Sequence, residues 1–158
     1  MMLYTIYKHS PLGDLILYGK DGFLEGLEFY KENYIQKEWI KDDNEFKEVS
    51  KQLKLYFQGK LKEFNLRLKL NTTPFKTKIY KELQKIPYGT TICYEELAKR
   101  VDNPKAARAV GNANGKNPIA IIIPCHRVIS KSGKIGGYSS GIDKKIKLLK
   151  LEGIYIYE

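Results

Sequence analysis

The chain has 158 residues and a mass of 18.3 kDa, enough for one or two small domains, and no apolar stretch is long enough to span a membrane. Two cysteines exclude a disulfide framework, and the adjacent Cys125 and His126 lack the ligand spacing of a zinc site, so we expect no metal and a cytoplasmic protein (nuclear in a eukaryote). The net charge of +10 is uneven, because residues 1–70 carry 12 basic and 11 acidic side chains whereas residues 71–158 carry 16 and 7. This distribution favours an anionic partner for the second part, nucleic acid above all, although a solvated lysine-rich surface would give the same count.

Residues 1–70 predict strands and one helix. The apolar run 15–18, the turn 19–22 and the segment 23–30 are typical of a hairpin. Asn44 is a candidate cap for a helix that ends at Gly59, and the alternating residues 64–70 predict a half-buried strand. Nothing here carries chemistry, so we interpret residues 1–70 as a scaffold domain.

Residues 71–158 predict a mainly helical domain. Thr73 and Pro74 are typical of a helix start, and Pro87 to Gly89 would end that helix. A second helix is expected from Tyr94 to Val101, and a third from Pro104 to about Asn114. Helix, short turn and helix in a basic region outline a helix-turn-helix. The fold class predicted for the whole chain is α+β, with a small antiparallel sheet and a helix in the N-terminal domain.

The third predicted helix is lined by small residues with one large side chain among them. Arg108 lies among small residues that would let the helix backbone approach another surface closely: Ala106, Ala107, Ala109, Gly111 and Ala113. Close helix packing would explain the small residues, but the planar guanidinium of Arg108 is better suited to insertion or stacking.

The segment from Ile121 to Val128 places Cys125 next to His126 after an apolar run broken by Pro124. A buried cysteine is usually core packing, but a neighbouring base can make its thiolate available. If the segment is extended, the two side chains point to opposite faces, and a water could carry the proton between them. Glu152 is the best acidic candidate to orient His126, although it could be an ordinary surface carboxylate. The glycine-rich loop 133–141, with Tyr138 and Ser139, could cover a pocket or be a plain turn.

These residues resemble the methylated-DNA–protein-cysteine methyltransferases, also called O6-alkylguanine-DNA alkyltransferases. The resemblance covers essentially all of residues 73–153, in order and with similar spacing, whereas residues 1–70 match only in size and outline. It is carried by the following segments: Pro74-Phe75, 86–89, Tyr94, 106–111, Asn117-Pro118, 121–128, 136–139 and 148–153.

The resemblance implies a role for each matching residue. Cys125 would accept the alkyl group from O6-alkylguanine in an irreversible displacement, with O4-alkylthymine as a second candidate substrate. His126 would take the thiol proton through a water, Glu152 would orient His126, and Asn117 would brace the turn. Tyr94 would donate to the departing guanine.

The resemblance also implies a partner, which is double-stranded DNA containing O6-alkylguanine. Arg108 would fill the stack after base flipping, on a helix that also presents Ala106, Ala107, Ala109 and Gly111 to the minor groove. The pocket for the extruded base would include Val128, Tyr138, Ser139 and Lys145. The protein is expected to act as a monomer without a cofactor, once per molecule.

Asn112 and Asn114 depart from the family pattern, since that helix often has small or apolar residues there, and this puts the width of the pocket in question. Three other functions remain as alternatives. A non-enzymatic lesion-binding protein would lack the cysteine, a helix-turn-helix regulator would be indifferent to it, and a thiol hydrolase would turn over many times.

Overall fold

The structure is a computed structural model that describes residues 1–32 and 34–156. The chain forms two compact units, Met1–Asn71 and Thr72–Glu158. Within the described ranges, no helix combines the length and apolar character that crossing a membrane requires. The mixed α+β class expected from the sequence is confirmed.

A four-stranded sheet forms the first unit, in the order β3-β2-β1-β4. Its strands are β1 (Leu3–Ser10), β2 (Gly13–Lys20), β3 (Phe23–Phe29) and β4 (Ile40–Lys41), of which β1, β2 and β3 pair antiparallel and β4 pairs parallel to β1. The predicted hairpin is β2–β3. Asp21 and Gly22 both take positive φ at its turn, at 55° and 79°, as an Asp-Gly hairpin turn requires.

The helix of the first unit, α1 (Lys47–Phe57), packs its apolar face into the core through Val49, Leu53 and Tyr56. Asn44 does not cap it, contrary to expectation. A 3₁₀ turn, Asn44–Phe46, precedes the helix, and its three residues make the shorter-range turn that often leads into an α-helix. Gly59 follows the helix with φ of 72°, which ends it as predicted.

Residues 64–70 do not form the predicted strand. Their side chains alternate between half-buried and exposed, so the pattern itself is present. Pairing is limited to one parallel bridge between Leu68 and Leu24, with two backbone hydrogen bonds of 2.8 and 2.9 Å beside it. Alternation reports which face is covered, whereas a strand also requires a neighbour along its length.

The second unit is built from helices around a buried apolar core. Helix α2 (Pro74–Leu83) begins as predicted, because the Thr73 side chain accepts a hydrogen bond from the backbone N–H of Lys76. Helix α3 (Tyr94–Arg100) follows a two-residue strand β5 (Ile92–Cys93), which pairs parallel with β6 (Val128–Ile129). This small sheet was not predicted, and it fixes the segment after Cys125 beside Tyr94.

One helix of the second unit starts later than predicted. Helix α4 (Ala107–Gly115) begins three residues after Pro104, because residues 103–106 form a turn closed by the Ala106 N–H and the Asn103 carbonyl at 2.9 Å. Helix α5 (Ile142–Leu151) places Glu152 at its C-terminal cap. The core between these helices contains fully buried side chains: Ile79, Leu83, Leu97, Val110, Ile119, Ile121, Ile123, Val128, Leu148 and Leu149.

Candidate active site

The turn that carries Cys125 is fixed by Asn117. Its side-chain oxygen accepts from the N–H of Ile119 at 3.0 Å, and its amide nitrogen donates to the carbonyl of Ile123 at 2.7 Å. Between them Ile121 has φ of 72°, a conformation that a β-branched residue rarely adopts. The two hydrogen bonds and the burial of the isoleucines hold this strained backbone in place.

Cys125 begins a 3₁₀ turn, Cys125–Arg127. The segment is therefore not extended, in contrast to the geometry considered from the sequence. Pro124 breaks the run, and the tight turn brings Cys125, His126 and Arg127 into one buried cluster. The sequence pattern alone could not distinguish this turn from a short buried strand.

The Cys125 thiol is only 5% exposed, yet it lines a pocket of about 680 Å³. Burial raises the pKa of the thiol, and this is opposed by hydrogen bonding to Asn117 and Tyr138 and by the positive charge of Lys145. The thiol is therefore protonated at neutral pH, and it needs a base before it can act as a nucleophile.

His126 is fully buried and contacts Glu152 through one ring nitrogen, with Nε2 at 2.7 Å from Oε2. Burial lowers the pKa of His126, and the neighbouring Glu152 acts in the opposite direction. The ring is thus neutral at pH 7, and a carboxylate beside Nε2 requires the proton to be on that nitrogen. Nδ1, which then has a free lone pair, has no hydrogen-bond partner within residues 1–32 and 34–156.

Glu152 is buried and is not a surface carboxylate. Each of its oxygens receives two donors: Oε1 accepts from the Gly89 N–H at 3.1 Å and from Arg127 Nε at 2.8 Å, and Oε2 accepts from His126 and from Arg127 Nη2 at 3.1 Å. The carboxylate is therefore fixed in position, as a group that orients a base must be.

Arg127 is a residue of the candidate site that the sequence did not single out. It is buried and donates hydrogen bonds from two nitrogens to Glu152 and from the third to the Ile86 carbonyl at 2.7 Å. An arginine within an apolar run signals a buried partner, since buried guanidinium groups are almost always paired. The sequence could not say that this partner lies 25 residues away.

Lys145 is fully buried on α5, and its ammonium group contacts three other segments of the chain. It donates to the carbonyls of Val128 at 2.6 Å and Gly137 at 2.9 Å, and lies 3.5 Å from the Tyr94 hydroxyl. Tyr94 opens α3, and burial raises its pKa, so its hydroxyl keeps its proton at neutral pH and can donate it.

The pocket is bounded by α3, α4 and the glycine-rich loop. Arg108 and Ser139 are exposed at its edge, and the site residues Tyr94, Cys125 and Tyr138 lie along its wall. Ala107 and Gly111 of α4 also line it, whereas Ala106 precedes the helix and Ala109 faces solvent.

Other predicted site residues lie outside that wall. Five of them do not line the pocket in the described part of the chain: Asn117, His126, Val128, Lys145 and Glu152. Lys145 is hydrogen-bonded to Tyr94 and Gly137 in the wall, and Asn117 to the Cys125 thiol. His126 follows Cys125 in sequence and contacts Glu152 behind the wall. The described residues also contain no cluster of three or more His, Cys, Asp and Glu side chains that could hold a metal ion.

Both units match described domain families. Residues 2–70 match the 6-O-methylguanine DNA methyltransferase ribonuclease-like domain, and residues 74–154 match the 6-O-methylguanine DNA methyltransferase DNA binding domain. The chain belongs to the 6-O-methylguanine DNA methyltransferase family. The resemblance inferred from the segment around Cys125 is thereby confirmed.

Individual family members are similar over nearly their whole length. A methylated-DNA–protein-cysteine methyltransferase of Methanosarcina acetivorans is 46% identical over 96% of this chain and 99% of its own. The crystal structure of Mycobacterium tuberculosis OGT in complex with DNA has a TM-score of 0.89 and 45% identity, covering 95% of this chain and 92% of that one. An O6-methylguanine DNA methyltransferase structure from Methanococcus jannaschii has a TM-score of 0.66 and 29% identity, covering 92% and 91%.

Proposed function

We propose that this protein repairs O6-alkylguanine in duplex DNA by transferring the alkyl group to its own Cys125, once per molecule. The observation that carries the proposal is the position of Cys125 in the wall of an open pocket. Cys125 is next in sequence to the buried His126, whose Nε2 is hydrogen-bonded to Glu152. The family's members named above act on methylated DNA, and one is solved with DNA bound.

The first step is proton transfer from the thiol. A water accepts the Cys125 proton while it gives one of its own to Nδ1 of His126, and Glu152 stabilises the imidazolium that forms. This route fits a protonated thiol beside a neutral ring, since burial raises the pKa of one and lowers the pKa of the other.

The second step is displacement at the alkyl carbon. The Cys125 sulfur bonds to that carbon as the bond from carbon to O6 breaks, and the electron pair stays on guanine. The leaving guanine takes a proton from the Tyr94 hydroxyl, and solvent returns the proton held by His126 to Tyr94. The products are S-alkylcysteine and guanine, with no net change in protons.

Access to the lesion requires the nucleotide to leave the duplex, because O6 is out of reach inside the stack. Arg108 is exposed on α4 at the pocket edge, where its guanidinium can occupy the space that the base leaves. Val128, Ser139, Tyr138 and Lys145 form or support the pocket for the base. The excess of basic residues in 71–158 would supply phosphate affinity that does not depend on sequence.

We also propose that residues 71–158 bind DNA and carry the reaction, whereas residues 1–70 act as a scaffold. The absence of a chemistry-bearing cluster in the sequence of the first part supports this division. A cytoplasmic location, or a nuclear one in a eukaryote, fits the two free cysteines.

The test is to mix the protein with an oligonucleotide that contains O6-methylguanine and to measure its intact mass and peptide map. The expected result is a gain of one methyl on the peptide that contains Cys125, saturating at one per protein. Cys125→Ala should bind the oligonucleotide and gain nothing, whereas Cys93→Ala, the matched control at the other free cysteine, should react normally.

Three outcomes would contradict the proposal. Continued turnover with excess oligonucleotide would indicate a multiple-turnover enzyme such as a hydrolase. Methylation of Cys93 would place the acceptor elsewhere. Tight binding to one DNA sequence regardless of the lesion, without methylation, would indicate a helix-turn-helix regulator.

A further inference from the structure

Asn114 joins the DNA-binding helix to the acceptor cysteine. It lies near the C-terminus of α4, is 4% exposed and lines the pocket. Its amide nitrogen donates to the Cys125 carbonyl at 3.2 Å. This carbonyl belongs to the peptide bond between Cys125 and His126, so Asn114 contacts the centre of the candidate site.

The side-chain oxygen of Asn114, Oδ1, can still accept a hydrogen bond. With the amide nitrogen facing a carbonyl, Oδ1 must face away from it, because two oxygen acceptors would repel each other. Oδ1 is buried and has no hydrogen-bond partner in the part of the chain that the structure describes. A buried acceptor in this condition normally has a water or a ligand as its partner.

His126 Nδ1 is also a buried acceptor without a hydrogen-bond partner among the described residues. Both residues adjoin the peptide bond between Cys125 and His126, since Asn114 donates to its carbonyl. A water molecule has two protons to donate and can accept a third hydrogen bond. It can therefore donate to Asn114 Oδ1 and His126 Nδ1 while it accepts from the Cys125 thiol. Three polar partners are the usual number for a buried water.

We infer that Asn114 is a positioning residue for proton transfer from Cys125, holding the relaying water through Oδ1 and the Cys125 backbone through its amide. The inference rests on the proposed function. In the step itself, the thiol proton passes to the water oxygen and the water proton nearest His126 passes to Nδ1. The bond to Oδ1 is kept throughout, so the water does not turn away.

The chain offers a matched control, since Asn112 is the same residue type on the same helix but is exposed. The variants are Asn114→Leu, which keeps the branching of the side chain but replaces its polar atoms with methyl groups, Asn114→Ala, in case the larger leucine does not fit, and Asn112→Leu. The first-order rate of methyl transfer is measured from pH 6 to 10 at saturating methylated oligonucleotide, so that weaker DNA binding does not enter.

The expected result is a rate about 10–100-fold lower for both Asn114 variants at pH 7, which is the scale of one lost proton-transfer contact. The deficit should shrink toward unity as the pH approaches the pKa of the thiol, since hydroxide then removes the proton directly. Asn112→Leu should follow the wild-type profile. The other titratable groups that act on the sulfur or on His126 are unchanged in all variants: Tyr80, Tyr94, Arg127, Tyr138, Lys145 and Glu152.

A deficit of the same size at every pH would overturn the inference, because it would show that Asn114 only packs against the turn. A wild-type rate for both Asn114 variants would also overturn it. Failure of the wild-type protein to gain a methyl group would instead remove the proposed function, so the two failures can be told apart.

Discussion

Each of the two units buries a glutamate, and the two carboxylates have different surroundings. Glu25, in β3 of the first unit, accepts one hydrogen bond from the Asn71 amide at 2.6 Å, and its Oε2 has no partner among the described residues. Glu152, in the second unit, has two donors on each oxygen, from His126, Arg127 and Gly89. The two residues are almost equally buried, at 8% and 6% exposure.

Burial alone does not distinguish the two carboxylates, whereas the number of their hydrogen-bond donors does. Glu25 satisfies only part of its hydrogen-bonding capacity, which a fold can tolerate at a modest loss of stability. Glu152 is surrounded by donors that fix both oxygens, and one of these donors is a base. The charges follow the same division, with a nearly neutral residue set in 1–70 and a strongly basic one in 71–158.

The largest effect should come from Glu152→Gln. This change leaves Arg127 buried without its carboxylate and removes the group that we propose stabilises the His126 imidazolium. Methyl transfer should slow by about 10²–10⁴-fold, and the free energy of unfolding should fall by about 3–5 kcal/mol. Single-turnover kinetics and urea denaturation would measure these two quantities, at a temperature where the variant is folded. A transfer rate within threefold of wild type would show that Glu152 serves stability only.

The pH dependence of Cys125 alkylation comes next. Burial raises the pKa of the thiol, so the reactive thiolate is the minor form in free protein, and its fraction grows about tenfold per pH unit below the pKa. The rate of reaction with iodoacetamide should therefore rise from pH 7 to 9 without levelling off. His126, whose pKa is lowered by burial, should add no step near pH 6.5. A plateau already at pH 7 would mean that the thiol is activated before DNA binds.

Arg108→Ala should have a smaller and more selective effect. Loss of a group that replaces base stacking should slow repair of duplex DNA by about tenfold, the equivalent of one stacking contact. Reaction with the free base O6-methylguanine should be unchanged. Arg100→Ala is a control for the loss of one positive charge, since Arg100 on α3 is paired with Glu96 at 3.3 Å. Equal slowing of the duplex and free-base reactions would exclude a role in base flipping.

The smallest effect is expected for Glu25→Gln, the same substitution as at Glu152 in the opposite surroundings. Glutamine keeps the oxygen that accepts from Asn71, so the free energy of unfolding should change by no more than about 1 kcal/mol. Methyl transfer should stay within twofold of wild type. A large loss of transfer would show that the first unit does more than support the second.

Local signals were the predictable part of this protein. Thr73 and Pro74 start a helix wherever the chain is otherwise helical, and Asp21-Gly22 closes a hairpin by its own backbone preferences. The fold class followed from such signals, and the family followed from the resemblance of the segments around Arg108 and Cys125. The start of α4 did not, because residues 103–106 form a separate turn where the sequence predicted the first helical turn from Pro104.

The parts that could not be predicted depend on contacts far apart in the chain. Residues 64–70 have the alternation of a strand but lack a neighbour along most of their length. Arg127 meets Glu152, and Asn114 meets Cys125, only after the second unit has folded. The roles of the site residues remain predictions until the substitutions above are measured.

The glycine-rich loop has a consequence for changing what the pocket admits. At Gly136, φ is 75°, which disfavours any residue with a side chain, and an added Cβ would lie 2.9 Å from the Tyr94 hydroxyl, so a substitution there would strain the backbone and displace that hydroxyl. Its neighbour Gly137 lines the same pocket, yet an added Cβ there meets nothing within 4 Å. Two consecutive glycines therefore differ in kind, one obligatory and the other open to variation. Substitution at Gly137 offers a way to narrow the entrance against bulky adducts while leaving the chemistry around Cys125 intact.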